Sequence, residues 1–174
     1  MKQKVMGIMG RSGSGKTTLL SDLIPVLIEM GFSVSTVKHT HHHFDVDKPG
    51  KDSYRHREAG AKEVLLTSSQ RWALLHEVRD EPEPDMVEMM AHMSPVDVVL
   101  IEGFKSHDFP KIEVYRPSLG KPIIGRTKQN VVAIVTDEAD HQAVTDLNIE
   151  ILDLGDIKAI GAFIVEYLKL KASK

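Results

Sequence analysis

The stretch Met9-Gly10-Arg11-Ser12-Gly13-Ser14-Gly15-Lys16-Thr17-Thr18 decides the reading of this chain. Gly10, Gly15, Lys16 and Thr17 fit the pattern G-x-x-x-x-G-K-[ST] without a gap. The preceding Lys4-Val5-Met6-Gly7-Ile8-Met9 is apolar enough for a buried strand, and Thr18-Leu19-Leu20-Ser21-Asp22-Leu23-Ile24 opens an amphipathic helix. Strand, glycine-rich loop and helix N-terminus are the context that phosphate binding requires. Glycines let successive backbone N–H groups turn inward around an anion, and the helix dipole favours negative charge at that end. Gly10, Arg11, Ser12, Gly13, Ser14, Gly15, Lys16, Thr17 and Thr18 are therefore the expected nucleotide-binding set. Lys16 is expected on the β- and γ-phosphates as the catalytic cation, and the Thr17 hydroxyl on Mg²⁺. The ordinary alternative is a Gly/Ser turn that matches by accident. Four specified positions in so short a chain coincide by chance on the order of one time in a hundred.

Working outward, short apolar runs alternate with helical periods, which predicts an α/β fold. The expected class is P-loop NTPase-like: a mostly parallel sheet with flanking helices and an additional strand pair, built as a single nucleotide-binding domain over residues 1–174. The spacing predicts a first helix over Lys16 to Met30, containing Pro25 and stopped by Gly31. Strands are expected at Phe32 to Lys38, Val96 to Ile101, Lys111 to Tyr115, Val131 to Thr136 and Ile149 to Leu154. Glu63 to Thr67 and Arg71 to His76 form the extra pair, joined by a Ser68-Ser69-Gln70 turn. Asp52-Ser53 is expected to cap a short helix, Asp85 another and Asp156 the last. Met86, Met89, Met90 and Met93 fall at helical spacing and are expected to fill core.

Composition removes several classes. There is no cysteine, so disulfides, thiolate metal sites and cysteine nucleophiles are excluded. A net charge of −3 with 5% aromatics argues against nucleic acid as a partner. No apolar run reaches the length of a bilayer, so no membrane partner is expected. The N-terminus runs into the first strand without a secretory leader, which makes the cytoplasm the expected location.

A P-loop needs a second acidic group near its Mg²⁺. Ligands in open α/β sheets bind beyond the carboxyl ends of strands, which selects Glu102 over Asp97 in Asp97-Val98-Val99-Leu100-Ile101-Glu102-Gly103. Gly103 is expected to permit close approach of backbone to ligand. Thr17 and Glu102 are thus the expected metal pair. His39, His41, His42 and His43 invite a metal hypothesis, against which stands a plain solvated loop. Asp45, Asp47 and Asp52 are carboxylates that could approach Mg²⁺ or a nucleophile once nucleotide binds; Asp45 and Asp52 are the expected catalytic pair, although Asp52 has a rival role as helix cap. Arg55, Arg57 and Arg71 are candidates for triphosphate contact, each with a surface role as the alternative. An N-K-x-D guanine signature is absent, since Thr127-Lys128-Gln129-Asn130 precedes a strand. Asp137 follows one, and its carboxylate could accept from a purine's exocyclic amine and ring N–H, which favours guanine.

The loop GRSGSGKTT, the segment KHTHHHFDVDKPGKDSYRHREAGA and the strand VVLIEGFK together resemble the molybdopterin-guanine dinucleotide biosynthesis protein B (MobB) family. The likeness runs over nearly the whole chain, including the late VVAIVTD strand. Asp45, Gly50, Lys51, Asp52, Ser53 and the Ala59-Gly60 pair are more specific to it than a P-loop is. The resemblance implies a GTP-binding protein of feeble intrinsic hydrolysis, using GTP and Mg²⁺. It implies a partner guanylyltransferase that joins GMP to molybdopterin, with a molybdopterin-containing intermediate in play. It also implies a homodimer built partly by sheet pairing. The family's phosphate-binding residues map onto Gly10 through Thr18, and its Glu-Gly strand end onto Glu102-Gly103. Two other classes stay open: a P-loop small-molecule kinase, whose acceptor would be phosphorylated, and a GTP-dependent metal-insertion protein using the His39–His43 loop.

Overall fold

The computed structural model describes residues 3–40, 44–103, 107–127 and 129–171. In chain order the elements are β1 (Lys4–Gly10), α1 (Lys16–Glu29), β2 (Val34–Lys38), α2 (Asp52–Glu58), β3 (Glu63–Thr67), β4 (Trp72–His76) and α3 (Met86–Ala91). Then follow β5 (Val98–Glu102), β6 (Lys111–Tyr115), β7 (Val131–Thr136), α4 (Gln142–Thr145), β8 (Glu150–Asp153) and α5 (Ile157–Leu168). The chain divides into two compact units, one of residues 1–39 and 95–174, the other of residues 40–94.

The first unit is a six-stranded sheet in the order β2-β5-β1-β6-β7-β8. Every pairing in it is parallel. Its apolar runs alternate between two faces, as period-2 strands must. Met6, Ile8, Val98, Leu100, Ile112, Val114, Ala133 and Val135 pack on one face against Leu19, Leu20, Leu23 and Leu27 of α1 and Ile160, Ile164 and Leu168 of α5. On β5 the intervening Val99 and Ile101 are buried too, so the strand reads as an unbroken apolar run. Pro25 lies inside α1, which runs on through it. Beyond α1, Gly31 N–H donates to the Ile28 carbonyl and Phe32 N–H to the Leu27 carbonyl, so the chain is still closing the helix where the sequence predicts a strand. Strand β2 begins only at Val34, because Ser33 N–H and Oγ both donate to Asp97 Oδ2, at 2.8 and 2.6 Å.

In the second unit β3 and β4 pair antiparallel, with Leu65 opposite Leu74 and Thr67 opposite Trp72. Arg71 falls in the turn and not in β4, because its carbonyl accepts from Ser68 N–H while Ser68 Oγ accepts from Arg71 N–H. Helix α3 opens with a capping box between Asp85 and Glu88. Of the expected methionine core only Met86 is buried; Met89 is exposed within α3, and α3 ends at Ala91, before Met93. Helix α2 is capped by Lys51 without a side-chain bond, which puts Asp52 inside the first turn and corrects the expected capping role.

Among the described residues no helix is long and apolar enough to cross a membrane.

Candidate functional site

Strand order determines where chemistry can gather. From β5 the chain crosses β1 to reach β6, so the exit of β1 lies at the reversal of strand order, where open α/β sheets hold ligands. The loop that leaves β1 there is Arg11 to Gly15. Gly10 has φ +154°, and a Cβ on it would meet the Val114 carbonyl oxygen at 2.5 Å and Ser14 Oγ at 2.6 Å, so no side chain fits. Gly15 is the left-handed N-cap of α1 at φ 94°. The first turn of α1 carries no acidic side chain, which leaves its dipole and N–H groups available to an anion.

Lys16 reaches back across the loop, its Nζ donating to the Arg11 carbonyl at 3.0 Å. The ammonium is thereby held over the turn that a phosphate would fill. Thr17 Oγ1 donates to Glu102 Oε1 at 3.4 Å, which brings the two expected metal-binding residues together. Two adjacent oxygen ligands of an octahedral Mg²⁺ with bonds of 2.0–2.1 Å stand about 2.9 Å apart. The observed pair, 3.4 Å apart, is about half an ångström wider than that, and both are the hard oxygens Mg²⁺ prefers. The residues fit the ion. Glu102 is largely buried, with its side chain 14% exposed, and Lys38 at the end of β2 stands 3.8 Å from its second oxygen. Gly103 has φ +104°, and a Cβ there would lie 3.1 Å from His39 Cβ and carbonyl oxygen, so its conformation also accommodates neighbouring backbone.

The exit of β6 supplies a group the sequence does not single out. Arg116 Nε donates to the Ser14 carbonyl at 3.2 Å, and its NH1 to Asp137 Oδ2 at 2.7 Å. Asp137 itself follows β7, at the same edge of the sheet. The segment after Arg116 also lies along the phosphate loop: Arg11 Nε donates to the Pro122 carbonyl at 3.4 Å. Beneath that segment Glu113 is fully buried, accepting from Ile124 and Gly125 N–H at 2.8 and 2.6 Å. Burial pushes its carboxyl above the ordinary range, against the pull of those two N–H groups and of Arg11. Lys38, Arg116 and Glu113 all escape sequence reading. The rule that selects Glu102, a charged residue where an apolar strand ends, would also have flagged Lys38 and Arg116.

The other expected residues lie in the second unit. Asp45 and Asp47 both accept from Arg57 NH2, at 2.7 and 3.1 Å, and Arg57 stands over the Tyr54 ring at 4.9 Å. Arg57 is thereby committed to organising its own loop. Of the proposed histidine ligands, His41, His42 and His43 lie outside the described residues, as does Lys128. Among the described residues no group of three or more histidine or carboxylate side chains is placed to hold a metal ion.

A family profile and two of the most similar relatives agree on one family. A family profile described as molybdopterin guanine dinucleotide synthesis protein B, MobB, matches residues 5–137. The Escherichia coli (strain K12) protein named molybdopterin-guanine dinucleotide biosynthesis adapter protein is 41% identical over 161 residues, covering 91% of this chain and 89% of its own length. A Haemophilus influenzae protein of the same name is 39% identical over 164 residues, covering 94% of this chain and 89% of its own. A crystal structure described as molybdopterin-guanine biosynthesis protein B superposes with a TM-score of 0.73 at 27% identity, over 95% of this chain and 99% of that one.

Proposed function

We propose a function from one premise: this chain belongs to the molybdopterin guanine dinucleotide synthesis protein B family, MobB. The protein is an adapter in molybdopterin-guanine dinucleotide biosynthesis. It binds GTP with Mg²⁺ beside a guanylyltransferase that attaches GMP to a molybdopterin-containing intermediate, and it hydrolyses GTP only weakly. The observation that carries the nucleotide reading is the meeting of Lys16, Thr17 and Glu102 at the exit of β1. In this reading the whole chain serves one nucleotide-binding domain. Lys16 neutralises the β- and γ-phosphates, the loop's N–H groups cradle them, and Thr17 with Glu102 holds Mg²⁺, which supplies charge neutralisation between the phosphates. Asp137 accepts from the guanine edge. Asp45 and Asp52 are assigned to the hydrolytic step by residue type, as carboxylates able to approach Mg²⁺ or a nucleophile once nucleotide binds.

Slow turnover has a chemical reason. Phosphoryl transfer needs a stabilising charge as well as a cradle, and an arginine supplied by a partner contributes a thousand-fold or more. Arg57 is engaged by Asp45 and Asp47, and Arg116 by Ser14 and Asp137. Homodimer formation is supported by the β3–β4 ribbon, whose Leu65, Trp72 and Leu74 are 61%, 67% and 43% exposed. Such a ribbon is a ready surface for strand pairing in a cytoplasmic homodimer. Steady-state assays with and without a molybdenum cofactor guanylyltransferase test the proposal. Isolated protein should turn over GTP below about one per second, the bottom of the usual enzyme range, and should bind or stimulate the transferase. Faster turnover alone, or indifference to the transferase, contradicts the adapter role.

A further inference from the structure

Strand β6 lies between β1 and β7, so its exit stands between the phosphate loop and Asp137. Register fixes the neighbourhood, with Gly10 opposite Val114 and Tyr115 opposite Thr136. The next residue, Arg116, is the first beyond the sheet, and its backbone is still extended. We propose that Arg116 is a positioning residue for nucleotide specificity: one guanidinium fixes both a phosphate-binding N–H and the carboxylate that reads the base. The inference rests on the reading of Asp137 as the guanine acceptor.

Peptide geometry links Arg116 to the phosphate loop. Ser14 C=O and Gly15 N–H belong to one planar trans peptide, so they point in opposite directions. Arg116 Nε donates to the Ser14 oxygen at 3.2 Å. That bond fixes the Gly15 N–H on the side of the peptide away from the arginine, where it is free to meet a phosphate in this proposal. The guanidinium also lies against the loop at this peptide: a Cβ on Gly15 would stand 3.6 Å from Arg116 NH2 and 3.7 Å from Nε. Gly15 supplies the left-handed turn that brings this peptide against the arginine.

The other edge of the same guanidinium plane meets Asp137. NH1 donates to Asp137 Oδ2 at 2.7 Å, a charge-assisted bond. Each carboxylate oxygen has two lone pairs, so Oδ2 accepts from Arg116 and retains capacity for a base N–H, while Oδ1 takes the second donor. A guanine presents two such donors, the ring N–H and the 2-amino group. Half-exposed ion pairs ordinarily contribute little to stability, and this one is 38% and 34% exposed. Its value lies in orientation. Lysine could not replace it, since a single ammonium has no rigid fork to span a carbonyl on one side and a carboxylate on the other.

The test is nucleotide titration of the full chain and its variants with GTP, ITP, ATP and XTP in Mg²⁺. ITP lacks only the 2-amino group, so the GTP-to-ITP affinity ratio reports on the orientation of Asp137. In Arg116→Ala the ratio should collapse toward one from a wild-type value of about ten-fold or more, the size of one charge-assisted bond. Arg116→Lys should not restore it. Equal losses for GTP and ITP, with the ratio intact, would show a merely structural arginine and overturn the proposal. Asp137→Asn separates the underlying reading, because an amide donor there should exchange preference from GTP to XTP. An exchange in Asp137→Asn with an unchanged ratio in Arg116→Ala overturns the arginine's role alone. No exchange in Asp137→Asn overturns the base reading and the arginine's role with it.

Discussion

Strand β5 and the β3–β4 ribbon are made of the same kinds of residue and meet opposite fates. In β5, Val98, Val99, Leu100 and Ile101 are all fully buried, although they point alternately to the two faces of the sheet. In β4, Trp72 and Leu74 on one side of the strand remain 67% and 43% exposed. The difference is neighbours. Strand β5 has a parallel partner on each side, β2 and β1, within a sheet that α1 and α5 cover on one face. A two-stranded ribbon has two edges and is marginal in water by itself. Apolar strand residues therefore specify the fold only where a sheet surrounds them. Where they are left uncovered, they are material for association.

The largest effect that could break this comparison is a matched pair of substitutions. Leu100→Ala in β5 should cost about 2–5 kcal/mol in denaturant unfolding, the usual loss for a fully buried leucine. Leu74→Asp should leave unfolding of the dilute monomer within about 1 kcal/mol of wild type, and yet abolish dimers in sedimentation experiments. Equal destabilisation by both would mean that the ribbon is core and not surface.

A smaller effect sharpens the sheet's side of the comparison, because Glu113 is a carboxylate inside it. Burial raises its folded value above the ordinary one of about 4.5. As pH rises, the unfolded chain loses this proton first, so wild type should lose stability between the ordinary value and the raised folded one. Below that window the group contributes no slope, and above it the loss is complete. Relative to Glu113→Gln, wild type should therefore weaken in urea titrations as pH rises above about 4.5. A parallel pair of curves would contradict the assigned direction.

Legibility in the sequence follows the same division. Strands β6 and β7 match their expected bounds at Lys111–Tyr115 and Val131–Thr136: β7 is a continuous apolar run up to Thr136, and β6 alternates Ile112, Val114 with the buried Lys111 and Glu113. The cap on α5 is equally local: Asp156 accepts from Ala159 N–H at 2.9 Å. Errors gather where distant or competing bonds decide. Ser33 belongs to Asp97, 64 positions away, and not to β2. At the site, Thr17 and Glu102 were legible because one belongs to a motif and the other ends a strand. Arg116 was not, since a lone arginine looks like surface until the sheet brings Ser14 and Asp137 to its two edges.

In the proposed function the loop after β1 grips a guanine nucleotide through Lys16. Calorimetric titration of GTP and ATP in Mg²⁺, on wild type and Lys16→Ala, is the decisive measurement. Wild type should prefer GTP, and the folded variant should bind it about ten- to hundred-fold more weakly, the loss expected for one charge-assisted phosphate contact. Unchanged GTP affinity in Lys16→Ala, or equal affinity of the wild type for ATP and GTP, would contradict the claim.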